Sequence, residues 1–162
     1  MKTNLFLLMK IAAAMSMLFN VGLVKACNLP FEPTVEMAQA KAEKRQCPVL
    51  LLFTGLDWSP RSITLDKHLL EHAVIEGLIE RSFVPVLVDF PQRMKLSAEL
   101  QGMNLDLAER HGVTHFPTLI ALNHNGQEIG RLNYQEETVT SLTAILERWA
   151  NHQKVSPKST SK

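Results

Sequence analysis

The stretch Leu50 to Lys67, LLLFTGLDWSPRSITLDK, decides the fold of this chain. It opens inside a continuous apolar run, CPVLLLFTG from Cys47 to Gly55. The length of that run, with Pro48 and Gly55 near its ends, predicts a strand buried on both faces. A strand covered on both faces needs helices on either side of its sheet, which is an α/β arrangement. Directly after it, Trp58-Ser59-Pro60-Arg61-Ser62 reads as a turn into a helix. Ser59 is a good N-cap and Pro60 suits the first helical position, where its missing N–H costs nothing.

Working outward, Arg61 to Ser82 carries apolar residues at Ile63, Leu65, Leu69, Leu70, Val74, Leu78 and Ile79, a helical spacing with a break near Ala73. FVPVLVDF, Phe83 to Phe90, is a second buried strand, ended by Pro91. Upstream, TVEMAQAKAEKR from Thr34 to Arg45 predicts a surface helix, with Thr34 as cap, Glu36 in the first turn and Lys44 and Arg45 in the last. Downstream, a polar connection leads to a short helix, Leu105 to Gly112, with Gly112 placed as a left-handed C-cap. Two strands, Thr118 to Leu122 and Glu128 to Leu132, flank the hairpin signal Asn125-Gly126. A final amphipathic helix, Glu136 to Trp149, sets Val139, Leu142, Leu146 and Trp149 on one side.

The order α, β, α, β, α, β, β, α is the one in which thioredoxin-like domains are built, and two segments carry the resemblance further. LLLFTGLDWSPRSITLDK is similar to the active-site segment of periplasmic thioredoxin-like disulfide reductases: a strand, Thr-Gly, Trp-Cys-x-x-Cys, then a helix with Leu-Asp/Glu-Lys. HGVTHFPTLIALNHNGQEIGRL, His111 to Leu132, resembles the family's second signature: Gly-Val, a proline before threonine, a strand, Asp/Asn-Gly and a last strand ending in Gly-Arg. The resemblance spans Pro48 to Trp149 and implies a three-layer α/β fold with a central mixed sheet of about four strands. It also implies a disulfide reductase or isomerase.

The departure is as specific as the resemblance. Family members place the attacking cysteine where Ser59 stands and the resolving cysteine where Ser62 stands. Exchange needs a thiolate at a helix start, where free N–H groups lower its pKa into the range of about 3.5 to 7.5, and a second thiol one turn later to release the mixed disulfide. A hydroxyl forms no stable sulfur-linked intermediate, so no catalytic residue is assigned and dithiol exchange by the family mechanism is expected to be lost. The resemblance also implies a cis bond at Phe116-Pro117, with the residue before the proline offering its backbone to an extended substrate. Trp58, Pro60, Arg61, Phe116 and Pro117 would then border a groove for an extended segment of an envelope or secreted protein.

Other residue patterns have plainer readings. Ser59 as a hydrolytic nucleophile would need a base, and His115 is the nearest conceivable one, but no Gly-x-Ser-x-Gly elbow exists. HLLEH, His68 to His72, matches a zinc-peptidase pattern, yet it falls inside a helix whose apolar spacing already explains it, and no metal or other cofactor is expected. Asp57 and Asp89 end strand runs and read as turn caps or partly buried carboxylates. His111, His124 and His152 sit at a helix end, a hairpin turn and the tail, where exposed histidine is ordinary.

Composition sets the outer bounds. With 162 residues, 46% hydrophobic and 20% charged, the chain is expected to form one domain. Residues 1–26 read as a signal peptide: Lys2 and Lys10 flank an apolar start, and Ile11 to Val24 is uncharged but too short to span a bilayer. Cleavage after Ala26 would leave Cys27 first, and VKAC also admits a lipid on Cys27, the one route to a membrane; Lys25 sits poorly in a lipoprotein signal. Losing Lys2, Lys10 and Lys25 takes the formal charge from +1 to −2, which removes the main support for a nucleic-acid role. The domain is expected over residues 27–152, followed by a disordered Ser-, Lys- and Pro-containing tail at 153–162.

Cys27 and Cys47 are the two cysteines. In an exported chain they either pair or remain thiols. Pairing would close a loop of about 20 residues and contribute about 3 kcal/mol. The reading that follows is an exported non-redox binding module. The alternative is a thiol-disulfide oxidoreductase acting through Cys47, or through Cys27 with Cys47.

Overall fold

The computed structural model describes residues 29–155; the expected leader and Cys27, and the tail beyond Val155, lie outside the described residues. Strand β1, Val49–Thr54, has all six residues buried. It runs parallel to β2, Val84–Asp89, and antiparallel to β3, Thr118–Leu122, which pairs in turn with β4, Glu128–Asn133. The sheet order is β2-β1-β3-β4, with β1 and β3 central. Pro85 is tolerated because β2 is an edge: its carbonyl faces away from β1 and accepts from the Glu32 N–H at 2.9 Å.

The alternation along β1 divides the core into two layers. Leu50 and Leu52, with Leu119 and Ala121, pack against Ile75, Leu78 and Ile79 of α3, Ala73–Ser82, and against Leu142, Leu146 and Trp149 of α5, Val139–Val155. Val49, Leu51 and Phe53, with Val86, Val88, Ile120 and Leu122, pack against Ala38 and Ala42 of α1, Val35–Arg45, and Leu107 of α4, Ala98–Arg110. Helices on both faces of a mixed four-stranded sheet make the three-layer α/β fold. Gly130 is fixed by a close approach: a Cβ there would lie 2.1 Å from the Trp149 indole nitrogen.

Several boundaries differ from the sequence expectation. The helix after Ser59 does break before Ala73, as the spacing predicts, but its first part changes pitch: α2, Pro60–Thr64, continues into a π-helical stretch, Leu65–Leu70, before α3 restarts behind the His72 cap. That change of pitch moves the apolar face by a residue, so Ile75 is buried while Val74 is 50% exposed. Helix α4 begins seven residues before Leu105, capped by Ser97, whose Oγ accepts from Leu100 N; the expected polar connection is partly helix. Gly112 does adopt the left-handed conformation, with φ +57°. At the other end of the chain, α5 begins at Val139 and runs to Val155, three residues into the expected tail. His111 is half-buried, its ring centroid 6.4 Å from that of Phe53, rather than freely exposed.

Candidate functional site

The turn between β1 and α2 is built by hydrogen bonds that fold it back on itself. Trp58 N and Ser59 N both donate to the Gly55 carbonyl, and Ile63 N to that of Ser59. Ser59 is the N-cap, in extended conformation, and its Oγ accepts from Ser62 N at 3.3 Å. Ser62 Oγ accepts from Gly55 N at 3.1 Å. Both serines are buried, at 5% and 0% exposure, and both hydroxyls are committed to backbone N–H groups. Neither is presented to solvent as a nucleophile. His115, the conceivable base, is exposed and bonds through Nδ1 to the Thr114 hydroxyl.

Three aromatic rings form a platform beside this turn. The Trp58 and Phe116 centroids are 5.9 Å apart in an edge-on contact, and Phe116 and Phe90 are 5.1 Å apart. Trp58 is held in place twice. Its Nε1 donates to the Phe90 carbonyl at 2.7 Å, and its ring lies so close over Gly55 that a Cβ there would meet it at 2.5 Å. The Phe116-Pro117 peptide bond is cis. Among the described residues the Phe116 backbone N–H and C=O make no hydrogen bond, whereas the neighbouring His115 and Pro117 carbonyls accept from Thr118 Oγ1 and Tyr134 N.

The structure therefore brings Trp58, Phe116 and Pro117 together, with Phe90 as a fourth member that sequence reading did not assign. Pro60 and Arg61 border a different hollow, an open cavity of about 380 Å³ shared with Tyr134, Glu136 and Glu137. The two carboxylates there offset the preference for anions expected of Arg61.

Asp57 and Asp89 are both caps. The Asp57 carboxylate accepts from Gln92 N at 3.0 Å and Arg93 N at 2.6 Å, and these bonds hold it below the usual carboxylate range. Asp89 Oδ1 accepts from Thr54 Oγ1 and Leu56 N, each at 3.0 Å. At Asp66, in the π-helical stretch, burial pushes the carboxyl up, with Glu71 adding to the effect. The Leu-Asp-Lys segment marked its position, but nothing in the sequence marked the burial.

Cys47 lies at the other end of β1. It is a free thiol, 8% exposed, and burial pushes its pKa up against the opposing influence of Arg45 and Lys41. Six strand residues at about 3.3 Å each put it roughly 20 Å from the serine turn. Cys27, its expected partner, lies outside the described residues. His72 caps α3, its Nδ1 accepting from Val74 N at 3.4 Å. Among the described residues no three His, Cys, Asp or Glu side chains come together as a metal site, and no helix is long and apolar enough to cross a membrane.

Known proteins share this fold. The model of a thioredoxin-like domain matches residues 35–148. The disulfide bond reductase DsbH of Chlamydia pneumoniae is 27% identical over 112 residues, 69% of this chain and 67% of that one. The thioredoxin-related protein DsbJ of the same organism is 26% identical over 106 residues, which span 65% of this chain but 30% of DsbJ. Among solved structures, a DsbH oxidoreductase superposes with a TM-score of 0.71 at 22% identity, covering 88% of this chain and 98% of that one. A disulphide isomerase from Xylella fastidiosa Temecula1 gives 0.57 at 20% identity, covering 75% and 96%. The chain belongs to the thioredoxin-like domain family.

Proposed function

We propose that this protein is an exported thioredoxin-like binding module: it keeps the shape of a disulfide reductase site, does no dithiol exchange there, and holds extended segments of envelope or secreted proteins. The observation that carries this reading is the state of Ser59 and Ser62. Both stand at the family's cysteine positions, and both hydroxyls are buried and used to cap backbone N–H groups. The recognition surface is intact beside them. The Trp58, Phe116 and Phe90 rings offer an apolar platform, and the unpaired Phe116 backbone offers the hydrogen bonds that an added strand needs. Export rests on the leader-like residues 1–26, and membrane attachment would need a lipid on Cys27.

The name of the relative DsbH favours the alternative, a disulfide reductase working through Cys47. Its position opposes it: a buried thiol with a raised pKa, at the far end of the strand from the platform, has little thiolate. Binding is tested by fluorescence anisotropy with a labelled, carboxymethylated unfolded polypeptide, which has neither thiol nor disulfide. The expected result is saturable binding weakened about tenfold by Trp58→Ala. Absence of binding, or binding that Trp58→Ala leaves unchanged, overturns the proposal.

A further inference from the structure

Beyond the platform, the loop that follows β2 and the start of α4 enclose a cavity of about 430 Å³. This is within the size range of small-ligand and side-chain pockets. Its wall is apolar at Phe90, Pro91, Met94, Leu96 and Leu105, and Lys95 is the one ionic side chain in the lining. Met94 is 71% exposed and Leu105 54%, so the rim presents apolar surface to water.

The cavity is tied to the serine turn by named bonds. Asp57 binds the amides of Gln92 and Arg93, Trp58 Nε1 binds the Phe90 carbonyl, and Phe90 N donates to the Thr54 carbonyl at 2.9 Å. From the other side, Asn104 Nδ2 of α4 donates to the Asp89 carbonyl at 2.9 Å. Phe90 is therefore both the inner member of the aromatic platform and a wall of the cavity. A segment lying on the platform has this hollow at its side, held in fixed register with it.

We infer that this cavity is a specificity pocket for the bound segment, taking a bulky apolar side chain such as Leu, Met or Phe with a carboxylate beside it. The apolar wall selects the side chain. Lys95, with no acidic residue in the lining, selects the charge. A thioether at Met94 suits a pocket that accepts several apolar shapes, because an unbranched side chain adapts to each. This inference rests on the proposed platform and adds to it the chemical class of what binds.

The test uses the mature chain and three labelled peptides of nine residues, alike except at the centre: Leu-Asp, Ser-Asp and Leu-Lys. The Leu-Asp peptide is expected to bind about tenfold more tightly than Ser-Asp, the effect of burying one such side chain. It is expected to exceed Leu-Lys about threefold at low salt, a difference that fades as ionic strength rises. Lys95→Glu should reverse the charge preference. Leu105→Asp should remove the preference for Leu over Ser, and because both sites are exposed each variant is expected to keep the wild-type circular dichroism spectrum. Binding that Trp58→Ala weakens while Leu105→Asp and Lys95→Glu leave both preferences intact overturns the pocket and keeps the platform. Failure of all three peptides to bind overturns both.

Discussion

The two ends of β1 divide between them what a thioredoxin-type exchange site needs. At its C-terminal end stands the geometry: a cap, a proline at the first helical position, a tryptophan over a glycine, and two side chains one turn apart at a helix start. Those side chains are hydroxyls, and the turn uses them as structural acceptors. At the N-terminal end stands the sulfur, Cys47, buried with no helix start beside it to stabilise a thiolate. The same strand holds the form of the chemistry at one end and its element at the other. On the proposed reading neither end suffices, because a reactive thiol is a property of its surroundings as much as of its sulfur.

The largest effect should come from reuniting the two. Ser59→Cys combined with Ser62→Cys places sulfur at a helix start whose backbone is already shaped for it, and is expected to make the protein reduce insulin disulfides at a readily measured rate. If the double variant folds, forms its disulfide and still fails to exchange, the geometry of the turn is not what the comparison takes it to be.

Removing the structural role of each hydroxyl separately comes next. Ser62→Ala leaves the buried Gly55 N–H without its acceptor and is expected to cost about 2 kcal/mol in urea unfolding. Ser59→Ala removes an N-cap and should cost about 1 kcal/mol. Equal, negligible losses would mean that the hydroxyls are not holding the turn together.

The sulfur end makes a pH prediction. With its pKa raised in the folded state, Cys47 keeps its proton after the unfolded chain has begun to lose it, so the folded state gains less from alkali. Stability from this group is full below the ordinary value of 9.0 and falls as pH rises past it. Cys47→Ser should lessen the drop in melting temperature between pH 8 and pH 10, and an unchanged drop would show that the thiol is better solvated than its burial implies.

The smallest effect belongs to Asp66. Its folded carboxyl is raised by burial and by Glu71, so ionisation costs the folded state stability above that raised pKa, and the cost disappears toward pH 3, below the ordinary value of 3.8. Asp66→Asn is therefore expected to raise the melting temperature by about 2 °C at neutral pH, with the gain vanishing in acid. A loss of stability at pH 7 would mean that the fold stabilises the ionised Asp66 carboxylate.

What could be read from the residues followed the range of the forces involved. The burial of β1 on both faces was legible, because an unbroken apolar run has few other uses, and so was Ser59 as a cap, because Ser-Pro fixes a helix start locally. The acceptor role of Ser62 was not legible, since it exists only once the turn folds back onto Gly55. The shift from Val74 to Ile75 was hidden because a π-helical stretch changes the angle per residue without leaving a pattern of its own. The first turns of α4 escaped because Gln101, Gly102 and Asn104 blur its apolar period. Phe90 and the cavity behind it depend on bonds from Asp57 to residues 35 and 36 positions away, which no local spacing encodes.

The most direct test of the central claim is the disulfide reductase activity of the unaltered protein, measured by insulin reduction with a chemical reductant to recycle it. The account predicts a rate no greater than that of the reductant alone, unchanged by Cys47→Ser. A clear acceleration that Cys47→Ser abolishes would contradict it and place the chemistry at the end of β1 where the sulfur lies.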